Sequence, residues 1–149
     1  MKKLPDLTLP ANGGKNISLQ DFKGKPLVLY FYPKDNTPGC TQEGIDFRDL
    51  YKEFTKAGAA LVGVSRDSVR SHDNFVEKYK LPFPLLSDAD ETLCKAFDAI
   101  VEKSLYGRKY MGVDRSTFLF DKAGTLRREW RGVKVKGHAT EVLDAVKAL

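Results

Sequence analysis

Cysteine is scarce in this sequence, whose 149 residues contain only Cys40 and Cys94. Two cysteines so far apart exclude the disulfide framework of a small secreted domain and the clustered ligands of a structural zinc site. Neither belongs to a C-x-x-C pair, which argues against a thiol-disulfide oxidoreductase. Each cysteine is therefore either an inert small hydrophobic residue or a reactive thiol.

Long apolar runs are also missing. No stretch approaches the roughly 20 residues that a membrane span needs. The basic start MKKLPDLTLP is not followed by the apolar segment of a secretory signal. We therefore expect a cytoplasmic protein with no membrane partner. Repeats, low-complexity segments and flexible linkers are absent too, so residues 1–149 are expected to form a single domain.

The charge is only moderately unbalanced, with 25 Lys and Arg against 20 Asp and Glu, a net +5. Such an excess can serve nucleic-acid binding, but no helix-turn-helix, zinc-finger or RNA-binding signature is present. The most basic segment, RREWRGVKVKGH, alternates as a strand does, and its charges can occupy the solvent side of a sheet. We expect a mixed solvated surface and no nucleic-acid partner.

The hydrophobic pattern predicts alternating strands and helices. A continuous apolar run, typical of a strand buried on both faces, occupies residues 26–32, and two further central strands are predicted at residues 59–65 and 116–121. Helical periodicity or helix end signals mark residues 40–56, 68–79, 89–97 and 137–148. Shorter strands are predicted at 83–86 and 125–130, and the Asn12-Gly13 turn predicts an N-terminal β-hairpin.

This order of elements mixes strand–helix–strand crossovers with a terminal hairpin. It predicts the α/β class, with a central mixed sheet between layers of helices. Sheets of this kind place reactive groups beyond the carboxyl ends of their central strands. Cys40 follows the first central strand in this way.

The tetrapeptide Thr37-Pro38-Gly39-Cys40 has the composition of a helix start. Threonine is a good N-cap, and proline is favoured at the first helical position. Cys40 then lies in the first turn, where unpaired amides and the helix dipole favour a thiolate. Spacing alone leaves a buried structural cysteine equally open.

The opening PDLTLPANGGKNISLQDFKGKPLVLYFYPKDNTPGCTQE resembles that of the peroxiredoxins, in particular the bacterioferritin-comigratory (Q-type) group. The resemblance continues through LVGVSRDSVRSHDNF, LPFPLLSDAD, YMGVDRSTFLFD and VKGHATEVL, and so covers nearly the whole chain. The P-x-x-x-T-x-x-C motif of the family stands here as Pro33, Thr37 and Cys40, and its distant arginine matches Arg115.

The resemblance implies a thioredoxin-like fold and a thiol peroxidase that needs no cofactor or metal. Cys40 would attack hydrogen peroxide or an organic hydroperoxide and become a sulfenic acid. Arg115 would hold the thiolate and the peroxide, Thr37 would exchange a hydrogen bond with the peroxide, and Pro33 would exclude water. Glu43 resembles a residue near the pocket of relatives, although a first-turn acid that favours the helix dipole explains it equally well.

The chain departs from the family in its second cysteine. Q-type relatives often carry a resolving cysteine at the positions that are Ile45 or Val76 here, and Cys94 matches neither. We expect Cys94 to be a partly buried inert thiol, and Cys40 to be resolved by an external thiol such as thioredoxin, glutaredoxin or glutathione.

Two alternatives remain open at this point: a two-cysteine cycle through Cys94, and a non-catalytic binding or holdase protein. The family resemblance also suggests a monomer. His72 and His138 lie near predicted helix starts, and we expect both to be caps or surface residues.

Overall fold

The computed structural model describes residues 2–149, in which strands and helices alternate much as predicted. The nine strands are β1 (Thr8–Ala11), β2 (Lys15–Ser18), β3 (Leu27–Phe31), β4 (Ala60–Ser65), β5 (Leu85–Ser87), β6 (Ile100–Leu105), β7 (Arg108–Val113), β8 (Ser116–Phe120) and β9 (Leu126–Trp130). The five α-helices are α1 (Pro38–Asp49), α2 (Tyr51–Lys56), α3 (Val69–Tyr79), α4 (Thr92–Ala96) and α5 (His138–Lys147). Within residues 2–149 no helix combines the length and the apolar character that crossing a membrane requires.

Seven strands form one mixed sheet in the order β2-β1-β5-β4-β3-β8-β9. The central strands β3, β4 and β5 run parallel, and the chain between them crosses through helices, as parallel pairing requires. On the other side, β8 pairs antiparallel with β3, and β9 returns beside β8. The predicted α/β class, the mixed central sheet and the N-terminal hairpin of β1 and β2 are confirmed.

The central strand β3 is buried on both faces, as its continuous apolar run predicts. Leu29 and Phe31 point into one core, which contains α4 and the base of the N-terminal hairpin. Val28 and Tyr30 point into a second core, which lies between the sheet and helices α1, α2, α3 and α5. The sheet therefore separates two apolar layers.

Two predicted helices differ in extent from the structure. The helix predicted for residues 40–56 is interrupted at Leu50, where the chain turns between α1 and α2 and brings the Phe54 ring to 5.8 Å from that of Phe47. The helix predicted for residues 89–97 begins only at Thr92, because Glu91 before it has a left-handed backbone with φ of 62°. The buried Asp88 carboxylate accepts from the amides of Leu93 and Cys94 in this first turn. In both places the break is accompanied by contacts within the same segment, between Phe47 and Phe54 and from Asp88 to the α4 amides.

The hairpin of β6 and β7 was not predicted. Within residues 2–149 its strands pair only with each other, from Ile100 opposite Val113 to Leu105 opposite Arg108. Both strands are rich in charged and exposed residues, so they lack the apolar run that marks the central strands. The signal that could have revealed it is the Tyr106-Gly107 turn, in which both residues have positive φ, as a two-residue hairpin requires.

The two histidines are buried, so their prediction as caps or surface residues is wrong. His72 is 0% exposed, and its ring nitrogens lie against the Asp35 carboxylate and the Leu86 carbonyl oxygen. His138 bonds through Nε2 to the Thr117 hydroxyl at 2.8 Å. Both helices pack onto the sheet, so a first-turn position can face the core as readily as solvent.

Gly63, in the middle of β4, is required by close packing. A Cβ atom there would lie 2.7 Å from Leu85 Cδ2 and 3.1 Å from the Tyr30 ring. We expect Gly63→Ala to lower the free energy of unfolding by about 1–3 kcal/mol, since the core must shift to admit the methyl group. Urea denaturation provides the measurement.

Gly44→Ala is the matched control, because its Cβ would meet only ordinary contacts of 3.6–3.8 Å with Leu81 and Phe75. This second change lies within α1 and should stabilise the protein by up to about 1 kcal/mol through helix propensity. Equal destabilisation by both variants would contradict the packing argument for Gly63.

Candidate active site

The loop between β3 and α1 carries Pro33 and Thr37. Pro33 is partly buried and lies in a bend two residues after the end of β3. Thr37 occupies the N-cap position of α1 with extended backbone dihedral angles, and Pro38 follows at the first helical position, as predicted. The Thr37 side chain does not cap the helix, however, because its hydroxyl donates to the Lys34 carbonyl oxygen at 2.8 Å.

Cys40 lies in the first turn of α1 and is 2% exposed. The first backbone hydrogen bond of the helix runs from the Thr41 amide to the Thr37 carbonyl at 2.8 Å. The amides of Gly39 and Cys40 therefore precede the helical hydrogen-bond pattern and remain available as donors. The positive end of the helix dipole also acts here and favours a negatively charged sulfur.

Arg115 reaches this turn because of the register between β3 and β8. Phe31, the last residue of β3, pairs with Ser116, so Arg115 lies beside the carboxyl end of β3. Its Nη2 donates to Cys40 Sγ at 3.4 Å, although the two residues are 75 positions apart. A Cβ atom on Gly39 would lie 3.1 Å from the same nitrogen, so the glycine leaves room for the guanidinium.

Glu43 is the second partner of Arg115. Its Oε1 accepts from Arg115 Nη1 at 2.7 Å, and its side chain is 1% exposed. The residue lies beyond the first turn of α1, which contains no acidic residue. The interpretation of Glu43 as a first-turn acid is therefore wrong. The structure supports the other interpretation, in which Glu43 lies near the pocket.

Burial controls the ionisation of the Arg115–Glu43 pair. It raises the pKa of the Glu43 carboxyl to about 7, although the charge and hydrogen bond of Arg115 oppose that rise. Glu43 Oε2 is buried and has no hydrogen-bond partner among residues 2–149, which adds to the cost of the charged form. Burial alone would lower the pKa of Arg115, but Glu43 and Cys40 raise it above its usual value, so the guanidinium stays charged.

Lys103 is a neighbour of the site that the sequence did not reveal. It belongs to β6, and its aliphatic stem lies across Gly112 of β7, where a Cβ would meet Lys103 Cδ at 3.1 Å. Burial lowers the pKa of its ammonium group, and the charges of Arg115 and Cys40 act on that pKa in opposite directions. The unpredicted hairpin therefore brings a second cation into the electrostatic field of the site.

Cys94 lies outside the site. It is 0% exposed and belongs to the core on the other face of the sheet from Cys40. Burial, together with the nearby Asp88 carboxylate, raises the pKa of the Cys94 thiol far above its usual value. The expected inert thiol is therefore more completely buried than predicted. No group of three or more His, Cys, Asp or Glu side chains within residues 2–149 is arranged to hold a metal ion.

Comparison with known proteins places the chain among close relatives. The model of the AhpC/TSA family matches residues 1–129. Peroxiredoxin Bcp of Xanthomonas campestris is 57% identical over 143 residues, which cover 96% of this chain and 89% of the relative. Peroxiredoxin Bcp of Bacillus subtilis is 51% identical over 146 residues, which cover 98% of this chain and 93% of the relative.

Solved structures agree with these relatives. Peroxiredoxin Q of Xanthomonas campestris superimposes with a TM-score of 0.93 at 55% identity, over 98% of this chain and 95% of that chain. Peroxidoxin BcpB of Mycobacterium tuberculosis has a TM-score of 0.87 at 36% identity, over 99% and 96% of the two chains. The thioredoxin-like peroxiredoxin fold is thus confirmed. The chain belongs to the AhpC/TSA family and, within it, to the bacterioferritin-comigratory peroxiredoxins, which are thiol-dependent peroxidases.

Proposed function

We propose that this thiol-dependent peroxidase reduces hydrogen peroxide and organic hydroperoxides with Cys40 as its nucleophile. The observation that carries the proposal is the contact of Arg115 Nη2 with Cys40 Sγ at 3.4 Å, at the open end of α1. A sulfur held between a guanidinium and unpaired amides is stabilised as the thiolate. The Xanthomonas bacterioferritin comigratory protein, whose structure was studied for its alkyl peroxide reduction activity, supports organic hydroperoxides as one substrate class.

The reaction is a displacement at oxygen. The Cys40 thiolate donates an electron pair to the terminal oxygen of ROOH, an S–O bond forms and the O–O bond breaks. The sulfur is oxidised to a sulfenate and the peroxide is reduced to ROH, with the proton of the peroxide passing to the leaving oxygen. The sulfenate then takes up a proton from solvent and becomes the sulfenic acid. For hydrogen peroxide the leaving product is water.

Arg115 serves this step by stabilising charge that moves from the sulfur to the leaving oxygen. Its guanidinium presents several donors in a fixed plane, so it can contact the thiolate and the peroxide at once. Glu43 Oε1, 2.7 Å from Nη1, holds the plane in place. Interactions that strengthen as the O–O bond stretches lower the barrier more than ground-state binding does.

Thr37 serves as a hydrogen-bond acceptor for the peroxide. A hydroxyl has one proton to donate, and in Thr37 it is directed at the Lys34 carbonyl oxygen. Its free lone pairs can then accept the O–H of the incoming peroxide, which directs the terminal oxygen towards sulfur. The amides of Gly39 and Cys40 supply donors, and Pro33 has no N–H and contributes an apolar wall.

The oxidised enzyme is returned to the thiol by an external reductant. A thiol R′SH attacks Cys40–SOH, releases water and forms a mixed disulfide, and a second thiol then regenerates Cys40 and leaves as R′SSR′. We propose thioredoxin, glutaredoxin or glutathione as the source. Cys94 takes no part, because the sheet separates the two sulfurs and a disulfide would need backbone movement. A single-domain monomer in a reducing compartment such as the cytoplasm suits this cycle.

Cys40→Ser tests the nucleophile. We expect peroxide consumption to fall by roughly three orders of magnitude or more, since the hydroxyl is a far weaker nucleophile. Stopped-flow peroxide reduction in the presence of thiol gives the rate. The control is Cys94→Ala, which removes the other buried thiol and should retain the wild-type rate. Retained activity in the serine variant would refute Cys40 as the reacting group.

The state of the oxidised sulfur tests the one-cysteine cycle. After one equivalent of peroxide, we expect intact-mass analysis to show one added oxygen, and peptide mapping to place it on Cys40. Added glutathione should then replace that oxygen with a mixed disulfide. A predominant Cys40–Cys94 disulfide would instead establish the two-cysteine alternative.

Glu43 makes stability depend on pH. Its pKa is about 7 in the folded protein and about 4.5 in the unfolded chain. The folded state therefore binds the Glu43 proton more tightly, and the resulting stabilisation is complete below about pH 4.5. That contribution is lost as the pH rises to about 7, by about 3 kcal/mol at most. We expect the free energy of unfolding of wild type, minus that of Glu43→Gln, to fall over this window and stay constant above it. Urea denaturation between pH 4 and 8 measures the difference, and a flat difference would contradict the burial effect.

A further inference from the structure

The loop that carries the peroxiredoxin motif contains a buried carboxylate with no role in the chemistry above. Asp35 lies between Pro33 and Thr37, and its side chain is 3% exposed. Its Oδ1 accepts from the Tyr32 hydroxyl at 2.6 Å. Its Oδ2 accepts from the Ser71 hydroxyl at 2.8 Å and lies 2.7 Å from His72 Nδ1. Three side chains therefore converge on Asp35, and two of them come from the first turn of α3.

The hydrogen-bond partners of His72 define its role. Its Nε2 lies 2.9 Å from the Leu86 carbonyl oxygen, which can only accept, so this nitrogen carries a proton. Its Nδ1 faces the Asp35 carboxylate. Nδ1 and Asp35 Oδ2 are therefore joined by a buried hydrogen bond, with one proton between the ring and the carboxyl group. A buried pair of this kind is intolerant of the loss of either partner.

The backbone of the loop is held by the same region. The peptide group between Lys34 and Asp35 accepts from the Thr37 hydroxyl through its oxygen at 2.8 Å, and donates to Asp67 Oδ2 through its N–H at 2.8 Å. Because a peptide group is planar, any rotation at Asp35 also moves the oxygen that orients Thr37. The peptide group between Lys34 and Asp35 thus connects the Asp35 side chain to the Thr37 hydroxyl, which is proposed to bind the peroxide.

A second contact holds the loop at the other end of α3. Asn36 has φ of 59°, in the left-handed region, which costs energy for a residue with a side chain. Its Oδ1 accepts from the Tyr79 hydroxyl at 3.1 Å, in the last turn of α3. The loop is therefore attached to both ends of α3, and a cleft of about 350 Å³ lies between these attachments.

We propose that Asp35 and His72 are a positioning pair, which fixes the loop between β3 and α1 so that the Thr37 hydroxyl and the Cys40 sulfur meet the same peroxide. The inference rests on the proposed function and adds two residues that act through the loop without touching substrate. A merely structural pair would affect stability alone. A positioning pair affects the reaction that needs Thr37 more than a reaction that needs only the thiolate.

Two reactions of Cys40 separate these roles. Peroxide reduction needs both the sulfur and Thr37, whereas alkylation by iodoacetamide needs only the ionised sulfur. In Asp35→Asn and in His72→Gln we expect the rate constant for single-turnover peroxide reduction to fall roughly 10- to 100-fold, as misplacement of a reacting group does. The alkylation rate constant should change by less than about threefold, since the helix end and Arg115 are unchanged. The double variant should lose no more than the worse single variant, because the pair acts as a unit.

Asp88→Asn is the matched control. It alters another buried carboxylate, one that accepts from the amides of Leu93 and Cys94 and has no bond to the loop. It should lower the stability of the protein in urea and leave both rate constants at their wild-type values.

Ser71→Ala removes a single hydrogen bond from Asp35 and is the milder variant if the others fail to fold. It should lower the peroxide rate constant by a smaller factor and spare alkylation.

Equal losses of the two rate constants, or a loss of stability with both rates intact, would overturn the positioning role. Failure of the proposed function gives a different result, namely that wild-type protein with its rapidly alkylated Cys40 consumes no peroxide. Wild-type turnover in the same assay keeps these two failures distinct. Loss of peroxide reduction with alkylation preserved, in both single variants, supports the pair.

Discussion

A partly buried guanidinium between a sulfur and a carboxylate is the interaction on which the reactive end of this molecule depends. A charge removed from water must find partners, and Arg115 finds Cys40 on one side and Glu43 on the other. The fold supplies the geometry, since the antiparallel pairing of β8 with β3 brings the arginine to the strand end from which the α1 loop departs. The missing side chain of Gly39 leaves the space that the guanidinium fills.

The parts of the fold that follow from local pattern were predictable. The run LVLYF reads as a strand buried on both faces because both neighbouring layers are apolar, and the structure contains that strand. Thr37 and Pro38 mark the start of α1 because capping and proline preference are local properties. Arg115 is different, since nothing in its own neighbourhood sets it apart from a surface charge. Its pairing with Cys40 was expected only from the family motif and depends on strand register.

What could not be predicted depends on contacts between distant segments. The local sequence SHDNF does not predict that His72 is buried, because its partner Asp35 belongs to a loop 37 positions earlier. The second-turn position of Glu43 follows from where α1 begins, and its partner Arg115 lies 72 positions later in the chain. Lys103 was missed together with its hairpin, whose charged strands carry little hydrophobic signal. Thr37 and Cys40 follow from the local start of α1, whereas Arg115 and Glu43 are placed by contacts across more than 70 positions of the chain.

The hairpin of β6 and β7 should tolerate sequence changes at its tip better than at its root. At its root the Asp114 amide donates to the Ala99 carbonyl at 2.7 Å, and the next residue is the arginine of the site. At its tip the Tyr106 side chain is 96% exposed. An affinity peptide inserted at the tip, or a fluorescent label attached there, leaves the core unchanged. A one-residue deletion within β7 would shift the register and carry the guanidinium away from its sulfur.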